Sequence, residues 1–264
     1  MRTTTLGVTA ALSLGAAARA QEGGGGDADL AKQLANPVSS LISVPFQNNY
    51  DCCYGPADGF RYTLNVQPVV PMSISSEWNL IARTILPVIY QDEPVAGQGS
   101  EWGLGDVLQS FFFSPKQSVN GITWGVGPAA LLPVGSDGFS AEQFGVGPTG
   151  VVLRQKGPTT MGVLANHIWG AGGDGTPDDV SSTFVQPFFV YTHPDSTALS
   201  LNAEASYDWK AEEWTIPVNV GVAHVYKFGE QRVQLGVFAR YYVAGVDGGP
   251  DWGLRFNAVL LFPK

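Results

Sequence analysis

The sequence is short of charge, of cysteine and of long apolar runs. Charged residues make up 14 % of its 264 positions, against roughly 25 % in soluble domains. Basic residues are the scarcer kind: 14 Lys and Arg stand against 23 Asp and Glu, for a net charge of −9. That balance excludes nucleic acid as a partner, because the phosphate backbone calls for a basic surface. The two cysteines, Cys52 and Cys53, are adjacent. Neighbouring residues rarely reach disulfide geometry, and no histidine or second cysteine pair accompanies them. A loop pair, oxidised or reduced, is expected, and no metal site. The glycine-rich stretches lack a phosphate-binding pattern with a lysine, so no cofactor is expected. Beyond the N-terminus no run approaches the roughly 18 apolar residues of a spanning helix. A membrane protein with this sequence must therefore be a closed barrel, the other architecture that satisfies its backbone in lipid.

What is present begins with a secretory pattern over residues 1–20. Arg2 supplies the positive start, 6–18 the apolar stretch, and Ala18-Arg19-Ala20 the small-x-small cleavage site. Cleavage near Ala20 removes Arg2 and Arg19 and lowers the net charge from −9 to −11. No cysteine stands at the new N-terminus, so a lipoprotein anchor is not expected. Residues 21–26 read as a glycine-rich linker. Residues 27–35 read as one short helix, with Asp27 or Asp29 as cap, Leu30 and Leu34 on one face, and Pro37 beyond its end. The expected organisation is a signal over 1–20, linker and helix over 21–40, and a barrel over 41–264.

From about Leu41 the hydrophobic period is two. Leu199, Leu201, Ala203, Ala205, Tyr207 and Trp209 alternate with Ser200, Asn202, Glu204, Ser206 and Asp208. The same alternation runs through Trp214, Ile216, Val218, Val220 and Val222, through Val233 to Tyr241, through Trp252 to Phe262, and through Phe60 to Val66. A period of two places alternate side chains on one face of a strand. Weaker segments cover 41–50, 78–91, 103–114, 122–132, 144–154, 160–170 and 182–193. Within them Trp124-Gly-Val-Gly-Pro128 is echoed by Phe144-Gly-Val-Gly-Pro148. Proline normally demotes a strand; here the two prolines read as bends at one height on neighbouring strands. The fold expected is all-β, a transmembrane antiparallel up-and-down barrel of about 12 strands, with a short N-terminal helix.

Two further patterns agree. Connections alternate between long ones (51–59, 92–102, 133–143, 171–181, 243–250) and short ones (71–77, 115–121, 155–159, 194–196, 227–230), as outer loops and periplasmic turns do. Only 210–213 breaks the rule. Amphipathic rings fall near the two strand ends: Tyr90, Trp102, Trp169, Tyr207, Trp209, Trp214, Tyr241 and Trp252 at one, Trp78, Trp124, Tyr191, Tyr226 and Phe262 at the other. Such rings favour membrane boundaries. A soluble sandwich would place them less regularly.

If the apolar faces meet lipid, the polar faces line a lumen. That puts Arg61, Arg83, Glu204, Asp208, Arg240 and Arg255 inside, as the charged groups of a constriction, with Asn65, Asp106, Asn202, Asn219 and Asn257 as further polar lining. Charge inside a membrane protein marks a polar interior. Four arginines against two acids read either as a basic constriction favouring anions or as an internal ion-pair ladder closing a narrow barrel. The acidic loops (Asp92, Glu93, Glu101, Asp137, Glu142, Asp174, Asp178, Asp179, Glu212, Glu213, Asp247, Asp251) lack calcium-loop spacing and read as solvated. His167, His193 and His224 show no spacing that supports a hydrolase and read as interfacial side chains.

Several runs carry a resemblance: Leu-Asn-Val-Gln-Pro-Val-Val-Pro at 64–71, Gly-Leu-Gly-Asp at 103–106, Trp-Gly-Val-Gly-Pro at 124–128, Gly-Pro-Thr-Gly-Val-Val-Leu-Arg-Gln-Lys-Gly-Pro at 147–158, Asn-His-Ile-Trp at 166–169, Tyr-Asp-Trp at 207–209, and Gly-Gly-Pro-Asp-Trp-Gly-Leu-Arg-Phe at 248–256. They resemble proteobacterial outer-membrane proteins catalogued as transporters, a group related to the barrel proteins of phenol meta-cleavage operons, some of which carry a neuromedin U label. The resemblance covers nearly the whole mature chain. It implies an outer-membrane barrel and, loosely, passage of small solutes, and it supplies no catalytic residues. A closed structural or adhesive barrel is the alternative, and a lipid hydrolase a distant third. The partners it implies are outer-membrane lipids and the barrel assembly machinery. The chain ends Leu261-Phe262-Pro263-Lys264, whereas a typical assembly signal ends in the aromatic itself.

Overall fold

The computed structural model describes residues 24–54, 59–92, 99–173 and 180–263. The secretory pattern and four of the acidic loop residues (Glu93, Asp174, Asp178, Asp179) lie outside them. A helix, α1 (Gly24–Leu34), precedes β1 (Ile42–Tyr54), β2 (Gly59–Val66), β3 (Val69–Ser73), β4 (Trp78–Gln91), β5 (Glu101–Leu104), β6 (Val107–Pro115), β7 (Ile122–Leu132) and β8 (Gln143–Lys156). Then come β9 (Thr159–Gly173), β10 (Ser181–Thr192), β11 (Thr197–Ala203), β12 (Ala205–Asp208), β13 (Glu213–Phe228), β14 (Gln231–Ala244) and β15 (Trp252–Phe262). Three walls of the sheet are interrupted strands: β2 continues as β3, β5 as β6, and β11 as β12. The result is a closed antiparallel barrel of 12 crossings.

Closure comes from the chain ends. Strand β15 pairs with β1 from Ile42↔Phe262 to Cys52↔Trp252, so the sheet has no edge. At one end of the barrel the hairpins are tight. Gly157 and Gly229 take φ of 55° and 60° in two-residue turns, a conformation that costs glycine nothing. The other end carries the longer connections. The echoed motifs meet: Pro128 and Pro148 are direct cross-strand partners. Pairing of β7 with β6 skips from Ala129 to Val126, and pairing of β8 with β9 skips from Val146 to Thr149. Proline offers no N–H there. The glycine before each one lets a neighbouring backbone approach: a Cβ at Gly127 or Gly147 would run into the carbonyl oxygen of Phe111 or His167.

Outward and inward faces separate along every strand. Leu199, Leu201, Val220 and Val222 lie exposed on the outer wall, while Asn219, next to Val220 on β13, is fully buried inside. Toward the tight-turn end the inner wall is apolar as well. Ile81, Phe112, Val151, Leu153 and Leu164 pack around Val38, and Val225, Val259 and Leu261 pack against Leu30, Ala31 and Leu41. The N-terminal segment therefore sits inside the barrel. Asp27 pairs with Arg232 at 2.6 Å, and Gln155 Nε2 donates to the Lys32 carbonyl at 3.0 Å.

Two expectations change. Gly24–Gly26 belong to the first turn of α1, not to a linker. Burial of Leu30 and Ala31, and Asp27 near the positive end of the helix dipole, offset the roughly 1 kcal/mol that each glycine costs a helix. Cys52 and Cys53 lie in β1 rather than in a loop, and a disulfide joins them.

Replacing Leu30 with Asp should free the segment and leave the barrel intact. Limited proteolysis should then cut within 24–41 at a protease dose that spares the parent, while heat-modifiable migration is unchanged. Equal protection of both proteins would mean that the segment is not held by this apolar contact.

Candidate functional site: a charged belt inside the barrel

Register brings the polar residues together. Asn202, Asn219, Arg240, Gly253, Asp51 and Arg61 are successive cross-strand partners, so they share one face in one row across the strands. One step nearer the tight turns, Arg255 stands opposite Asn49, and a further step on, Asn257 stands opposite Gln47, which faces Asn65. Gly253 leaves the space through which Arg240 reaches Asp51: a Cβ there would crowd Asp51 Oδ1 at 2.5 Å.

Glu204, in the break between β11 and β12, is the centre of the belt. Arg255 donates to it through both terminal nitrogens, Nη1 to Oε1 at 2.8 Å and Nη2 to Oε2 at 2.7 Å. Arg240 Nη1 adds a bond to Oε2 at 3.1 Å, and its Nε meets Asp51 Oδ1 at 3.0 Å. Asn49 Oδ1 accepts from Arg255 Nε at 2.6 Å, and Tyr242 accepts from Arg240 Nη2 at 2.8 Å. Side-chain exposure is 3 % for Arg255, 8 % for Arg240 and 17 % for Glu204. Forked, charge-assisted bonds of this kind are the strong ones.

Asp51, Asn49, Gln47, Gln67 and Tyr242 were not among the expected site residues. Two that were lie elsewhere. Asp208 is exposed and caps a turn, accepting from the Lys210 and Ala211 amides at 2.8 and 3.1 Å. Asp106 accepts from Gly135 N, Ser140 Oγ and Ala141 N, and so ties down the 133–142 connection. Both acids sit at strand ends, where an aspartate finds free backbone N–H groups sooner than a lumen partner. The expected four-to-two excess of arginine over acid changes accordingly. Asp51 replaces Asp208, and Arg240 and Arg255 are paired. Arg83 stands apart: Nη2 donates to Gln67 Oε1 at 2.9 Å, and no carboxylate among the described residues is within ion-pair distance. Asn65 donates to Gln47, and Asn202 accepts from Asn219 at 2.9 Å. Asn257 Oδ1 is buried with no hydrogen-bond partner among the described residues.

Three cavities follow one another through the lumen. One of about 240 Å³ touches Leu34, Gln186, Glu204, Arg255 and Asn257. One of about 150 Å³ runs from Leu34 and Asn36 to Gln67 and Arg83. One of about 310 Å³ continues from Arg83 toward the long loops. A larger apolar concavity, about 680 Å³, lies on the outer wall around Met161, Pro187 and Phe189, away from the belt.

The aromatic rings form two outer belts. Trp169, Trp209, Trp214, Tyr241 and Trp252 are exposed near the long-loop end, where Tyr90 packs on Trp102 at 4.8 Å. Trp78, Trp124, Tyr226 and Phe262 are exposed near the tight-turn end, where the first two meet edge-on at 5.8 Å. His167 bonds Thr183 at 2.7 Å beside Trp169, with no carboxylate in that contact. In the 193–196 turn the order is His193, Asp195, Thr197, His224. Asp195 touches His193 directly, and Thr197 stands between Asp195 and His224, which is not the nucleophile–base–acid order of a hydrolase. Hydrogen bonds from the Thr197 backbone and side chain hold the Asp195 carboxyl down to about 2. Among the described residues no group of three metal-ligating side chains occurs.

These features define a closed, lipid-compatible β-barrel whose lumen is crossed by an ion-pair belt. No protein-family model matches the sequence, and no curated relative matches it. The fold is shared with the COG4313 outer membrane channel from Pseudomonas putida F1, at a TM-score of 0.66 and 12 % identity over 84 % of this chain and 96 % of that one. It is similar also to the outer membrane phospholipase A from Escherichia coli, at 0.50 and 11 % over 84 % and 98 %. At these identities the likeness is one of fold, that of outer-membrane barrels.

Replacing Glu204 with Gln leaves two buried guanidinium groups short of their counter-charge. The barrel should lose about 3 kcal/mol of stability, the low end for breaking a buried pair, because a water-accessible cavity borders the site. Urea unfolding in detergent measures it. Combining Glu204→Gln with Arg255→Gln should recover part of the loss; a double variant worse than the sum would contradict the pairing.

Proposed function

We propose that this chain is an outer-membrane channel for small solutes, held closed by its own N-terminal segment, and not an enzyme. The observation that carries the reading is the build of the lumen. A structural barrel fills its interior with wall side chains, whereas here the lower lumen is filled by a separable segment that contributes no strand. Among the described residues that segment is held by an ion pair to Arg232, a bond from Gln155 and apolar contacts of Leu30, Ala31, Val38 and Leu41. Three cavities lie in series, two of them lined in part by the segment and the third beyond Arg83. Apolar outer walls and two aromatic belts support a place in a bilayer. The fold of known outer-membrane barrels supports the outer membrane in particular. A permanently closed structural barrel is the competing reading, favoured by the buried belt.

Removing residues 21–36 should raise single-channel conductance in planar bilayers several-fold, with a weak preference for anions from Arg83. A deletion variant as silent as the parent favours the closed barrel. Location has its own test. The parent should fractionate with outer membranes, and Leu201→Arg on the outer wall should cost about 2–4 kcal/mol while Ser200→Arg in the lumen costs much less. Equal tolerance of the two would mean that the outer wall does not meet lipid.

A further inference from the structure

We infer that the upper lumen holds a binding site for a small amphipathic monoanion, a carboxylate on a short hydrocarbon body, with Arg83 as its anchor. The inference rests on the reading of the lumen as a solute path and names the class of solute. Three observations converge. First, no carboxylate among the described residues lies within ion-pair distance of Arg83. Among the described residues it donates to the neutral amide of Gln67, while Arg240 and Arg255 share Glu204 and Asp51. An arginine enclosed by the wall is costly unless an anion or water completes its hydrogen bonds.

Second, Arg83 opens onto the cavity of about 310 Å³, at the small end of the volumes that small-molecule sites occupy. The rest of that chamber is chiefly hydrocarbon: Ile85, Leu108, Leu131, Ile168 and Phe184. Ser110, Asn166 and Ser182 are the neutral polar groups beside them. A cation at one end of an apolar chamber recognises a molecule with one charged end and an apolar body. An inorganic anion would leave the apolar wall unused, and a neutral hydrocarbon would leave the guanidinium unanswered.

Third, the site is placed to matter for passage. Arg83 also lines the cavity of about 150 Å³, whose other wall is the plug segment at Leu34, Asn36 and Leu41. A solute held at Arg83 from the long-loop side is one chamber away from the segment that blocks its exit. The neighbouring charges fix its sign. Glu204 lies across the lumen but is committed to two arginines, so a second anion meets little net repulsion there.

The test is calorimetric titration of the full chain in detergent micelles with hexanoate and with 1-hexanol, each corrected for protein-free micelles. Hexanoate should bind at least about tenfold more tightly than hexanol, the size of one charge-assisted hydrogen bond. Arg83→Gln should remove that preference, Arg83→Lys should keep most of it, and Leu108→Trp, which fills the chamber, should weaken both ligands. Heat-modifiable migration confirms that each variant is folded. Equal binding of acid and alcohol, or an acid preference that survives Arg83→Gln, would overturn the site. Hexanoate binding without conductance in the segment-deleted protein would leave the site standing and defeat the channel reading. Conductance without hexanoate binding would do the reverse.

Discussion

Everything else in this molecule depends on the pairing of its first and last strands. Eleven register pairs between β1 and β15 remove the two edges that any open sheet would present. In water such edges invite aggregation; in hydrocarbon each unpaired amide costs several kcal/mol. Closure at 12 crossings fixes the circumference, and the circumference fixes the interior problem. A barrel of about eight strands is filled by its own side chains, whereas one of about 16 holds a water-filled channel. At 12 the wall leaves more space than side chains fill. This chain fills the difference in two ways, with an ion-pair belt near the long-loop end and its own N-terminal segment near the tight turns.

The two fillings obey different physics, and the wall sequence reflects that. Opposite the segment, inward positions are apolar, so strands there are hydrophobic on both faces: Phe111-Phe112-Phe113, Leu80-Ile81-Ala82 and Val259-Leu260-Leu261. Opposite the belt, inward positions carry charge or amides, and alternation returns in β2, β13, β14 and β15. Removing water from an arginine is affordable only when the geometry is good. Here the forked contact of Arg255 with Glu204, and the space Gly253 leaves for Arg240 to reach Asp51, supply it.

Most of the wall was legible in the sequence because a period of two is a local signal. The twelve crossings, the alternation of connection lengths, the inward placement of Asn202, Asn219, Arg240 and Arg255, and the facing of Pro128 and Pro148 all follow from alternation and count. What was not legible depends on register between distant strands and on breaks in strands. Asp51 stands 189 residues from Arg240, and no local pattern joins them. Asp208 and Asp106 have lumen parity, but each lies where a strand stops, and parity loses its meaning at a break. The docked segment was legible from its own sequence, amphipathic over 27–35 and leading directly into the first strand, and a second signal lay in the wall: the apolar runs that violate alternation, all toward the same end of their strands. Continuous apolar sequence in a strand means burial on both faces.

The same asymmetry bears on how such a lumen could open. Losing the segment exposes Val225, Val259, Leu261 and their neighbours to water and breaks the partly exposed Asp27–Arg232 pair, a cost that opposes opening but leaves Arg232 where water reaches it. Opening through the belt would separate Glu204 from two arginines in a partly dry interior, a much larger penalty. On the proposed channel reading, the apolar end would be the one to move, and the belt would be the fixed constriction past which a solute must fit. Selectivity and gating would then reside at different heights of one barrel. Arg83 lies between them, lining both the chamber on the long-loop side and the one that the segment closes.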